Sequence, residues 1–147
     1  MALREYLIDP KFGDKRLAEA TVQEIQLELF RRSVAAEFDV NRFISVLLAN
    51  RRLWSGAVID RLGINDPDRF PLSPMSMIKL RDIHQNVWNA DTLYVLCPSR
   101  AAADDLVAKL PMEEFACMPD IVSDKEDLGS AMGTRAFDEV IIRFWWD

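Results

Sequence analysis

The sequence predicts an α/β protein in which an N-terminal three-helix segment packs on a small, parallel, three-stranded βαβαβ sheet. Apolar residues recur at helical spacing through most of residues 1–89. From residue 90 onward, short apolar runs alternate with helical segments, a pattern typical of βαβ units. These runs are continuously apolar, which favours a sheet covered on both faces. A length of 147 residues fits one domain. We therefore expect a single domain, 1–147, with a helical sub-region, 1–89, and an α/β sub-region, 90–147.

Two long helices are predicted first along the chain. Thr21 and Glu24 form a capping-box pattern, and the apolar residues after them predict a helix over about 16–37. Asp39 is a suitable N-cap for a second helix over about 40–62. Two adjacent apolar stripes give this second helix a broad face that we expect to be buried, and the glycine after it is a suitable C-cap.

The remaining elements follow a polar connection. Ser73 with Pro74 behind it predicts the start of a third helix over about 74–88. Beyond it the sequence predicts, in order, a strand at 92–97, a helix at 100–110, a strand in EFACM (114–118), a short helix opened by Ser123 with Glu126, and a terminal strand at 139–146.

Composition and charge limit the classes of function. Half of the residues are apolar and 29% are charged, the balance of a globular protein. No apolar run approaches the ~20 residues of a membrane span, and the first residues do not resemble a secretory signal, so we expect a cytoplasmic protein without membrane contact. Residues 71–147 carry 7 Lys and Arg against 13 Asp and Glu, a balance of −6. Such an acidic half disfavours nucleic acid and suits a basic protein partner.

The run ANRRLW (49–54) raises the question of whether it is core or contact surface. Trp54 lies on an apolar stripe of the predicted second helix, whereas Arg51 and Arg52 lie beside it with stems that can pack. We expect Trp54 in the core and the arginines at its rim, and all three are candidate partner-binding residues. Trp146 is a fourth candidate, because two successive tryptophans on a strand must point to opposite faces and one of them can serve as an anchor.

A second group of candidates lies where the 92–97 strand ends. Cys97 precedes a predicted helix, whose dipole would favour the thiolate, and Arg100 would add to that effect. Ser99 stands at the helix N-terminus, where an anion can bind. Cys97, Ser99 and Arg100 are therefore candidates for a small-ligand or catalytic site. The other interpretation of Cys97 is a small apolar residue at a strand end.

The sequence carries no further sign of chemistry. His84 is the single histidine, so a histidine-based metal site is not expected, and its helical spacing with Leu80 and Val87 indicates a packing role. The glycines are scattered, and no phosphate-binding, dinucleotide-binding, calcium-loop or nucleophile-elbow motif occurs. We expect no cofactor, no metal and no catalytic residues.

One family resemblance adds to this interpretation. The run Asn50 to Trp54, followed by PDRFPLS and then by MIKLRDI, resembles the FlaF family of flagellar biosynthesis regulators over about residues 16–88. The resemblance implies a cytoplasmic, non-enzymatic, helical protein that regulates flagellin production by contacting flagellin or another regulator. It does not account for residues 90–147.

The sequence therefore favours a non-enzymatic binding or regulatory protein that acts by protein–protein interaction. A flagellin-related regulator and an immunity-type protein that masks a basic toxin both fit this description. The alternative is a small-ligand-binding protein or enzyme with its site at the strand ends around Cys97 to Arg100. The oligomeric state and the partner do not follow from the sequence.

Overall fold

The computed structural model describes residues 8–33, 39–61, 74–110, 112–114, 117–122, 124–133 and 138–146. These residues form an α+β fold. The helices in this part of the chain are α1 (Val22–Arg31), α2 (Val40–Ala49), α3 (Arg100–Lys109) and α4 (Lys125–Met132). The strands are β1 (Gly56–Asp60), β2 (Thr92–Cys97), β3 (Met118–Val122) and β4 (Val140–Trp145). Short 3₁₀ helices cover Phe12–Asp14, Leu17–Glu19, Arg51–Leu53, Pro74–Leu80 and Ile83–Gln85.

The four strands form one antiparallel sheet in the order β1-β2-β4-β3. The predicted fold class, a three-stranded parallel βαβαβ sheet, is therefore wrong in both strand number and strand direction. The last strand enters between β2 and β3 and runs opposite to both of them. A short apolar run has the same local pattern in either direction, so the pairing is decided by packing between distant parts of the chain.

Strand β1 replaces the second half of the helix predicted over 40–62. Asp39 caps α2 as expected, with its side chain accepting from the backbone of Arg42, but the helix ends at Ala49. After one 3₁₀ turn, Trp54 is fully extended, with φ −148° and ψ 156°, and leads into β1. Within β1, Ala57 is buried and Val58 is exposed, the alternation of a strand. A strand thus lies in the sub-region 1–89, for which only helices were predicted.

The other local predictions met mixed outcomes. The capping box of Thr21 and Glu24 is confirmed, and so are the strand at 92–97 and the helix that follows it. The first predicted helix is shorter than expected. The third predicted helix is replaced by two 3₁₀ segments. Strand β3 begins at Met118, where the predicted strand EFACM ends. The predicted caps Gly63, Ser73 and Ser123 lie outside the described residues, and the side chain of Asp124 caps α4.

The core lies on one face of the sheet. Helices α1, α2 and α3 bury apolar side chains against this face, where Phe43 packs edge-on against both Phe30 and Phe144 at ring distances of 5.6 and 5.2 Å. The other face is partly open. Val58, which pairs in register with Tyr94, is 50% exposed. The expectation of a sheet covered on both faces is therefore wrong at β1.

Helix α1 also covers the outer edge of the sheet. The Gln23 side chain accepts from the backbone N–H of Ala57 at 2.7 Å and donates to the carbonyl of the same residue at 2.9 Å. The Gln26 side chain accepts from the N–H of Ile59 at 3.0 Å. An edge strand exposes unpaired backbone groups, and these glutamines satisfy them. They also fix the position of α1, which forms one wall of the pocket described next.

Candidate binding pocket

A pocket of about 460 Å³ lies between α1, residues 83–88, and an N-terminal segment, residues 8–20, that we call the strap. Its volume falls within the ~300–1,000 Å³ of ordinary ligand pockets. All three walls contribute apolar side chains: Phe12, Leu17, Ile25, Leu29, Ile83 and Trp88. The pocket is thus built from parts of the chain that are distant in sequence.

The strap is attached to α1 mainly through Glu24. This side chain is 1% exposed and accepts from the backbone N–H of Asp9 at 2.7 Å and of Thr21 at 2.8 Å. The Lys15 ammonium lies 3.0 Å from one of its oxygens. Burial alone would raise the pKa of Glu24, but the two backbone hydrogen bonds and Lys15 lower that pKa to about 2. The carboxylate is therefore charged at neutral pH, and it holds the strap at Asp9 and Lys15.

Arg31 makes the second attachment of the strap. Its guanidinium lies over the Phe12 ring, 4.8 Å from the ring centre, and donates to Glu28 at 2.9 Å. A Cβ atom on Gly13 would come within 2.6 Å of the same guanidinium. A larger residue at position 13 would therefore displace the end of the Arg31 side chain from its place beside the strap.

Residues 83–88 are joined to the end of α1. The backbone N–H of Trp88 donates to the carbonyl of Arg32 at 3.0 Å, and Ser33 and Trp88 form an isolated parallel bridge. The Arg32 guanidinium donates to the side-chain oxygen of Asn86 at 3.0 Å. Asn86 adopts the left-handed conformation, with φ 62°, which ends the 3₁₀ turn and directs the chain back toward α1.

The charged side chains that line the pocket pair with one another. Lys15 pairs with Glu24, and Arg32 pairs with Glu28 at 3.0 Å. Two cations and two anions leave this lining with no net charge. At the rim, Leu17 is 76% exposed and Ile83 is 61% exposed. The pocket thus offers an apolar surface, and the charged side chains that also line it are already paired with one another.

The predicted partner-binding residues lie elsewhere and are not brought together with the pocket. Trp54 is buried, as expected, and its indole N–H donates to the carbonyl of Leu47 at 2.7 Å. Arg51 lies over the Trp54 ring at 5.6 Å, and Arg52 is exposed. Trp146 is 3% exposed and contacts Phe30. The two tryptophans therefore contribute to the core, whereas Arg52 is open to solvent.

The alternative candidates around the end of β2 have structural roles. Cys97 is fully buried, and burial raises the pKa of its thiol to about 12. The Ser99 hydroxyl accepts from the backbone of Ala102 as the N-cap of α3. Arg100 pairs with Asp104 one turn along the helix. This arrangement keeps the thiol protonated at neutral pH and does not favour a nucleophile.

Sequence reasoning missed the pocket residues. Leu17 fell inside the helix predicted over about 16–37 and Ile83 inside the helix predicted over about 74–88, whereas both are exposed residues of the pocket lining. Leu17 gave no separate signal, because its spacing of eight residues to Ile25 continues the helical stripe of the predicted first helix. His84, expected to pack, is exposed.

Comparisons of the chain with known proteins found no match. No family model, no curated protein and no solved structure matches the chain. Across the described segments, no helix has the length and apolar character needed to cross a membrane. The same segments contain no group of three or more histidine, cysteine or acidic residues that could hold a metal ion.

Proposed function

We propose that this protein is a non-enzymatic binding or regulatory protein that receives an uncharged, apolar side chain of a partner protein in the pocket beneath the strap. The observation that carries the proposal is the combination of an apolar pocket of about 460 Å³ with charged lining residues that pair among themselves. An apolar group can enter without displacing water from an unpaired charge, a step that would cost free energy.

The rim favours a protein over a free small molecule. Leu17 and Ile83 project at the mouth and remain more than half exposed. A small molecule inside the pocket would leave these side chains in water, whereas a protein surface would cover them as well. Exposed apolar groups beside a pocket are typical of protein contact sites, and buried anchor side chains supply much of the binding energy there.

The wider properties of the chain indicate the kind of partner. A formal net charge of −6 suits a basic protein and disfavours nucleic acid. Two buried free thiols suit a reducing compartment, and we propose a cytoplasmic location. The resemblance to the FlaF regulators makes flagellin the first partner to test, although residues 16–88 contain β1 and that family is helical. The second partner to test is a basic toxin, which this chain would mask as an immunity-type protein does.

Calorimetry with short capped peptides tests the proposal. One peptide carries a central leucine, and its matched control carries aspartate at that position. We expect saturable binding of the leucine peptide and not of the control. Leu17→Asp should weaken this binding about tenfold or more, because it places a charge at the mouth of an apolar pocket.

Val58→Asp is the matched control variant, since Val58 is also an exposed apolar residue but lies on the open face of the sheet. It should leave the affinity unchanged. The proposal is wrong if the leucine peptide does not bind, or if both substitutions weaken binding equally. Flagellin that binds wild type and Leu17→Asp with the same affinity would exclude the pocket as its contact site.

A further inference from the structure

The polarity of the pocket depends on one ion pair. Lys15 lines the pocket, and its ammonium contacts both oxygens of Glu24, at 3.0 and 3.1 Å. We propose that Glu24 is a specificity-determining residue, which makes the pocket select uncharged apolar groups over anionic amphiphiles by neutralising Lys15. This inference rests on the proposed function, because it concerns selection at the same pocket.

Glu24 is fixed in a way that an ordinary surface carboxylate is not. Backbone N–H groups from Asp9 and Thr21 hold its oxygens, and 1% of the residue is exposed. The carboxylate therefore cannot turn away when a ligand enters. Lys15, with 28% of its side chain exposed, remains beside a permanent counter-ion. An anionic head group would have to compete with this carboxylate for the ammonium.

The second acid of the pocket has a different arrangement. Glu28 accepts from Arg31 at 2.9 Å and from Arg32 at 3.0 Å, so two cations share one carboxylate. Removing the charge of Glu24 would therefore leave Lys15 without its counter-ion, in a pocket whose other acid, Glu28, is already compensated. A cation in such a partly desolvated site attracts anions more strongly than one in water does.

The experiment compares two probes of similar size and shape, octanol and octanoate, by calorimetry at neutral pH. For the wild type we expect octanol to bind about tenfold more tightly than octanoate. For Glu24→Gln we expect the preference to disappear or reverse, because the amide does not neutralise Lys15. The double variant Lys15→Met with Glu24→Gln should again prefer octanol, which separates the effect of charge from that of altered packing.

A second variant covers the case in which Glu24→Gln does not fold. Lys15→Met alone leaves the Glu24 carboxylate in place, so octanoate binding should weaken further while octanol binding is retained. The inference is overturned if octanol binds but the octanol-to-octanoate ratio is the same in wild type, in Glu24→Gln and in Lys15→Met. If neither probe binds the wild type, the inference is overturned as well. The proposed function fails only if the leucine peptide also does not bind, so the two failures are distinguishable.

Discussion

Glu24 combines two roles at the scale of a single residue. It completes the capping box of α1, and it is the buried carboxylate to which the strap is attached. A buried charge is tolerated where hydrogen bonds and an opposite charge compensate its desolvation, and Glu24 has both. The sequence predicted the first role from its spacing to Thr21. The second role depends on Asp9 and Lys15, whose approach no local pattern specifies.

The lowered pKa of Glu24 predicts a pH dependence of stability. Its folded-state value of about 2 lies below the ordinary 4.5, so the stabilisation is fully present above about pH 4.5 and is lost as the pH falls toward 2. Glu24→Gln should lower the free energy of unfolding by about 2 kcal/mol at neutral pH, with a smaller difference from wild type at low pH. Urea denaturation across this pH range measures it.

Glu19→Gln, which alters an exposed carboxylate of the same strap, is the control and should leave the free energy of unfolding unchanged. A difference between wild type and Glu24→Gln that stayed constant down to pH 2 would show that the charge of Glu24 does not stabilise the fold.

The two cysteines give a residue-scale test of the alternative, catalytic interpretation. Burial raises the pKa of both the Cys97 and the Cys117 thiols to about 12. Both should therefore react slowly with a thiol-specific disulfide reagent at neutral pH, and both should react fully after unfolding. Rapid labelling of Cys97 in the native protein would contradict this and would restore the activated-thiol hypothesis.

At the scale of the elements, α1 and β1 depend on each other. Gln23 bonds to both backbone groups of Ala57 at the outer edge of the sheet. Gln23→Ala should leave these groups without the side-chain partner, lower the free energy of unfolding by about 1–3 kcal/mol, and promote self-association through the uncovered edge. Denaturant unfolding and sedimentation measure the two effects.

Gln85→Ala, which alters an exposed glutamine in the 3₁₀ turn, is the matched control. If both alanine variants had the same stability and remained equally dispersed, the hydrogen bonds from Gln23 would not protect the edge of β1.

Strand β1 also shows why element prediction failed where it did. Trp54, Val58 and Arg61 fit a helical spacing, while Ala57, Val58 and Ile59 form a short apolar run that a strand accommodates equally well. A short apolar segment satisfies both periods, and the choice here depends on pairing with β2, about 35 residues later. Strong local signals were interpreted correctly: the capping box of α1 and the β-rich strand β2 are confirmed, although α1 is shorter than the helix predicted over 16–37.

At the scale of the whole molecule, the strand order and the pocket could not be predicted from the sequence for the same reason. The insertion of β4 between β2 and β3 and the closure of the strap over α1 both join residues far apart in the chain. Composition and periodicity describe each segment separately, so they indicated a helical layer on a sheet but not the antiparallel order. They did not locate the pocket, and the binding role that they suggested stays a prediction.

The binding role is tested by mapping amide chemical shifts in ¹⁵N-labelled protein while the leucine peptide is added. The pocket predicts that the shifted amides cluster in the strap and in residues 83–88, around Leu17 and Trp88. Shifts that cluster instead on the open face of the sheet, around Val58 and Tyr94, or no shifts at saturating peptide, would contradict the assignment of this pocket as the binding site.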